Sequence, residues 1–90
     1  MDQRLILADG TTYENGGCGE MSNNLYCNIR GNHDIADVAS NFLNPAKTGT
    51  ITMEAGDVTT TFNGYTRVTN ISQVDASTIT VVLNKSGGET

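Results

Sequence analysis

Helical periodicity occurs once in this chain, and it stops at the only proline. In "IADVASNFLNPAKTGTITM", which runs from Ile35 to Met53, the residues Ile35, Val38, Ala39, Phe42 and Leu43 recur at helical spacing. Pro45 follows, and Ile51 and Met53 then alternate with polar neighbours. The spacing predicts a short helix with one apolar stripe. Asp34 is its expected N-cap, because a carboxylate there accepts from the first free amides. Asp37 adds negative charge where the helix dipole favours it. Pro45 pushes Asn44 toward extended geometry, so the helix is expected to end near Leu43.

The rest of the chain reads as strands and turns. Arg4 to Ala8, Asp9-Gly10 and Thr11 to Glu14 read as a hairpin, with Asp-Gly suited to a two-residue turn. In that register Ile6 faces Tyr13 and Leu7 faces Thr12. The stretch from Asn15 to Asn24 holds three Gly, three Asn and a Ser and reads as a loop. Leu25, Cys27 and Ile29 alternate with Tyr26, Asn28 and Arg30, which predicts a half-buried strand ended by Gly31-Asn32. After the strand carrying Ile51 and Met53, a turn is expected at Ala55-Gly56-Asp57. Val58, Thr60 and Phe62 alternate on the return, and Asn63-Gly64 is a second turn signal. Val68 and Ile71 are three apart, which predicts a bulge around Thr69-Asn70. Asp75-Ala76-Ser77 turns the chain into a last strand carrying Ile79, Val81 and Leu83. These elements predict a single α+β domain over 1–85 with a frayed tail at 86–90. Its mostly antiparallel sheet of six to seven strands packs against one short amphipathic helix, with Phe42 and Phe62 in the seam.

Ninety residues with no Trp, three Tyr and two Phe can build only a thin core. The net charge of −5 and the scatter of the five basic residues, Arg4, Arg30, Lys47, Arg67 and Lys85, argue against nucleic-acid or polybasic membrane contact. The apolar run Leu5 to Ala8 is too short for a signal core or a membrane span. A cytosolic chain is therefore the expectation, unless a leader was removed; the resemblance described below would make that the bacterial cytoplasm.

Few residues suggest chemistry. His33 is the only histidine, so a multi-histidine metal site is excluded. Cys18 and Cys27 read as two reduced thiols, Cys18 in the loop and Cys27 packed inward as a small hydrophobe. A bridge between them is the alternative if Gly16, Gly17 and Gly19 let the loop fold back. A thiol nucleophile, Cys18 or Cys27, paired with His33 is a further reading, and an inward Cys27 speaks against it. A zinc set of Cys18, Cys27, His33 and Asp34 matches no standard spacing. Asp34 and Asp37, like Glu54 and Asp57, sit where cap and turn roles explain them. No catalytic, cofactor or metal residue is assigned, and a non-enzyme is expected. Thr59-Thr60-Thr61 reads either as good strand former on a half-wet face or as an edge offering itself to a partner strand. Tyr13 and Tyr26 are placed beside the Asn15–Asn24 loop, which would form the lip of a small-ligand or peptide-binding module in an alternative reading of the function.

The succession "LILADGTTYE", "LYCNIRG", "FLNPAKTGTITM", "FNGYTRVTNI" and "TITVVLNK" resembles small phage- and prophage-encoded proteins of Gram-positive, often gut, bacteria. The resemblance covers most of the chain. Its most distinctive parts are "ADGT" after the opening strand, the junction from Phe42 to Ile51, and Phe62 to Thr66. Those proteins are associated with tail and structural gene clusters. The resemblance implies a structural or tail-assembly role through contacts with other phage structural proteins or with itself, with incorporation in the virion. It carries over no active-site residue.

Overall fold

Among the described residues, eight strands form two antiparallel sheets. The computed structural model describes residues 3–85. In chain order the elements are β1 (Gln3–Ile6), β2 (Thr12–Glu14), β3 (Gly17–Met21), β4 (Asn24–Arg30), α1 (Ile35–Phe42), α2 (Pro45–Thr48), β5 (Thr50–Ala55), β6 (Val58–Asn63), β7 (Arg67–Asp75) and β8 (Thr78–Asn84). One four-stranded sheet has the order β2-β1-β5-β6 and the other β3-β4-β8-β7. The protein is thus α+β with mainly β content, and its strands pair antiparallel throughout.

Each strand turns one face inward, and these faces share one core. On β4 and β8 the buried pairs Leu25↔Leu83, Cys27↔Val81 and Ile29↔Ile79 lie directly opposite one another. The other sheet contributes Leu5, Tyr13, Ile51 and Phe62 to the same cluster. The helix α1 adds Val38 and Phe42, both fully buried. Phe42 stacks on Tyr13 of the first sheet with ring centroids 6.0 Å apart, and α1 also lies against β7 of the second. The helix therefore closes one side of a two-sheet core and does not cover a single sheet. Phe42 and Phe62 both belong to the core, but Phe62 pairs edge-on with Tyr65.

Several expectations are corrected. The Asn15–Asn24 segment is not a loop: it contains β3, paired with β4 along its whole length. Its glycines hide the alternation that identifies a strand, while edge position lets a strand form with little side-chain burial. Eight strands replace six to seven for that reason. The first hairpin is shifted by one residue, with Leu5↔Tyr13 and Ile6↔Thr12. Its connection is a three-residue loop: the Leu7 amide donates to Thr11 and the Gly10 amide to Leu7. Gly10 has φ +93°, the left-handed position such a loop requires. The shift brings Leu5 and Tyr13 into the core as neighbours.

Pro45 ends α1 and also begins a helix. The Asn44 side chain accepts from the Ala46 amide at 3.1 Å, and Pro45 supplies a preset first helical residue in α2. Asp34 is the N-cap residue of α1, but its side chain makes no capping hydrogen bond. The bulge at Thr69-Asn70 is present as a register shift between Val68 and Asn70, and a second shift falls between Gln73 and Asp75. The tail expected at 86–90 lies outside the described residues. No helix among the described residues is long and apolar enough to cross a membrane.

Candidate interaction site

The four sheet edges differ in how well they are protected. β2 has only three residues. β7 is broken by its two register shifts, and bulges twist an edge away from pairing. β3 is interrupted by glycine, and one of its outward amides is taken: the Cys18 N–H donates to Met53 Sδ at 3.2 Å. β6 differs from all three. Its sequence VTTTFN holds no charge and no proline, and its register with β5 is regular over six residues.

The register fixes which backbone groups β6 presents. Ala55↔Val58 closes the two-residue Gly56-Asp57 turn, so pairs alternate from there between hydrogen-bonded and non-hydrogen-bonded. Thr60 bonds to Met53, whereas Thr59 and Thr61 point their N–H and C=O groups away from β5. Their side chains are exposed on the outer face, Thr60 is half-buried, and Val58 is 63% exposed at the strand's start. Thr59, Thr60 and Thr61 therefore lie together on a regular outer edge. Such an edge offers two amides and two carbonyls to an added strand.

Tyr13 and Tyr26 do not join them or each other. Tyr13 is buried, stacked on Phe42 and edge-on to His33 at 5.4 Å. Its hydroxyl accepts from Asn41 Nδ2 at 2.6 Å, Lys47 Nζ donates to Asn41 Oδ1 at 2.8 Å, and Lys47 pairs with Asp9 at 3.4 Å. Burial pushes the Tyr13 hydroxyl above its ordinary pKa, partly offset by Asn41. This chain of contacts fastens α1 and α2 to the first hairpin. Tyr26 is 38% exposed on the outer face of the second sheet, opposite Gly19 and Val82. With β3 in place of a mobile loop and Tyr13 turned inward, the lip of a ligand site is not formed by these residues.

His33 is half-buried against Tyr13 and makes no hydrogen bond to either thiol among the described residues. No group of three or more His, Cys, Asp or Glu side chains among them is placed to hold a metal ion. Asp9 and Asp75 act locally, accepting from the amides of Thr11 and Ser77, and those backbone bonds hold both carboxyls below the usual range. Cys18 lies opposite Cys27 through the β3–β4 register, and not through the folded-back loop that the sequence allowed for. The Ser22-Asn23 pair, two turn-forming residues just before the alternating Leu25–Ile29 run, is the signal that could have placed a hairpin there. No protein family, curated protein or solved structure matches this chain.

Proposed function

We propose that the chain is a non-enzymatic structural or assembly protein of a phage or prophage, acting through protein–protein contacts made along β6. The observation that carries the assembly reading is the regular, uncharged outer edge at Thr59–Thr61, whose backbone groups face away from the sheet. Edges of this kind are normally blunted by charge, proline or bulges when a protein works alone. The sequence resemblance supports the phage setting and the tail-associated partners. Partners are a second copy of this chain or another phage structural protein, either one adding a strand to β6.

Sedimentation over a wide concentration range, alone and with phage tail proteins, tests the reading. Association is expected, and replacing both Thr59 and Thr61 by Lys should abolish it while leaving the monomer folded. A chain that stays monomeric at high concentration and binds none of those tail proteins would sink the proposal.

A further inference from the structure

Cys18 and Cys27 are directly opposite each other on β3 and β4. Met21↔Asn24 closes the two-residue Ser22-Asn23 turn, with Ser22 at φ +57°, so it is a hydrogen-bonded pair. Counting back, Glu20↔Leu25 is non-hydrogen-bonded, Gly19↔Tyr26 is bonded, and Cys18↔Cys27 is non-hydrogen-bonded. An independent contact agrees: the Cys18 amide is turned away from β4 and donates instead to Met53 Sδ. Non-hydrogen-bonded pairs bring Cα atoms to about 4.5 Å and their side chains closest together. A disulfide spans Cα separations of about 4.4–6.8 Å, so it fits this site without a change of register. Both thiols are free, and the neighbouring Cys18, together with burial, pushes the Cys27 thiol up.

The two thiols differ in access. Cys27 is fully buried among Leu25, Val81 and Ile29. Cys18 is half-buried, is flanked by Gly17 and Gly19, and lines an open pocket of about 280 Å³ together with Gln3, Asn28, Arg30 and Met53. Cys18 is therefore the thiol nearer to solvent.

We propose that Cys18 and Cys27 form a redox-active dithiol, in which Cys18 takes a low-molecular-weight disulfide from the pocket and Cys27 resolves it into a bond between β3 and β4. Cys18 gives its proton to solvent and its thiolate attacks one sulfur of the small disulfide. That S–S bond breaks, and one small thiolate leaves and is protonated. Cys27 then loses its proton and attacks Cys18 Sγ, breaking the mixed disulfide and releasing the second small thiol. The protein has given up two electrons and two protons, and the small disulfide has gained them. This inference does not depend on the assembly reading, since neither cysteine lies on β6.

The test exposes the full-length, reduced protein to rising ratios of oxidised to reduced glutathione, quenches with acid, alkylates the remaining thiols in denaturant near neutral pH, and measures intact mass. The wild type is expected to pass from a doubly alkylated form to a monomer lighter by two hydrogens with no alkylatable thiol, and to return on adding dithiothreitol. Cys27→Ala should stop at one glutathione on Cys18, and Cys18→Ser should stay unmodified while folded. A wild type that remains doubly alkylated in excess oxidised glutathione, or that halts at the mixed disulfide, overturns the proposal. So does a Cys18→Ser protein whose Cys27 reacts as fast as Cys18 does in Cys27→Ala. The wild-type titration decides even if a variant fails to fold.

Discussion

Tyr65 donates its hydroxyl hydrogen to the Glu20 carboxylate, joining the β6–β7 connection to the edge strand β3. Its ring is almost wholly buried, packs edge-on against Phe62, and lies under Lys85 with the ammonium 5.4 Å from the centroid. The aromatic body thus belongs to the core while its polar tip reaches an acceptor at the rim, the arrangement a buried tyrosine requires. Burial first, and Glu20 second, push the Tyr65 pKa up to about 12.

That contact gives the fold an alkaline limit. An unfolded tyrosine titrates near pH 10, roughly, so the folded value lies above the unfolded one. The stabilising contribution is then complete below the unfolded value and is lost as pH rises toward the folded one. Thermal melts at a series of alkaline pH values should show the melting temperature falling through that window. Tyr65→Phe should lower it at neutral pH and flatten the alkaline fall. Tyr13, also raised by burial, keeps part of the fall in the variant. Equal alkaline slopes in the two proteins would show that Tyr65 does not titrate as described.

Two residues of the helical stripe should separate sharply on substitution. Phe42 is fully buried against Tyr13, whereas Leu43 is 61% exposed at the end of α1. Phe42→Ala is expected to cost about 3–5 kcal/mol, the range for deleting a core aromatic, which is most of what a thin core can spare. Leu43→Ala should stay within about 0.5 kcal/mol of wild type. Urea melts of both variants measure this, and similar losses would contradict the placement of Leu43.

That pair shows how far the sequence could be read. Spacing placed Phe42 and Leu43 on one stripe, but it could not say that Pro45 would begin a second helix and leave Leu43 in solvent. Likewise, alternation found β4, β5, β6 and β8, because their inward residues are large and their outward ones polar. It missed β3, whose glycines carry no side chains to alternate, and with it the pairing of Cys18 with Cys27. Tyr13 was placed at a ligand lip because it adjoins the Asn15–Asn24 segment, read as a loop. That segment carries β3, and the one-residue slip of the first hairpin pairs Tyr13 with buried Leu5. The Thr59–Thr61 stretch was legible as strand; its position at an outer edge is a property of strand order, which periodicity does not carry.

Thr48 offers a stabilising substitution. It is fully buried at the end of α2, and its hydroxyl has no hydrogen-bond partner among the described residues. Valine has nearly the same shape and removes the unsatisfied group, a change that is neutral or favourable where the partner is missing. Thr48→Val should raise stability by up to about 1 kcal/mol, measured as a higher urea midpoint at unchanged slope. A clear loss would mean that the hydroxyl is bonded in solution.

Proline substitutions can separate the edge role of β6 from its structural role. The Thr60 amide faces β5 and bonds within the sheet, while the Thr61 amide faces outward. Proline has no N–H and is tolerated in strands only where the lost donor faced solvent. Thr60→Pro should therefore break the β5–β6 ladder and destabilise the fold clearly more than Thr61→Pro does. Thr61→Pro should leave that ladder intact, keep the far-UV circular dichroism of the wild type, and remove one donor that an added strand would need. If strand addition along β6 joins copies of this chain, Thr61→Pro weakens association at least tenfold in sedimentation while Thr61→Val, which keeps the amide, does not. Equal association of the proline and valine variants would place the contact on some surface other than this edge.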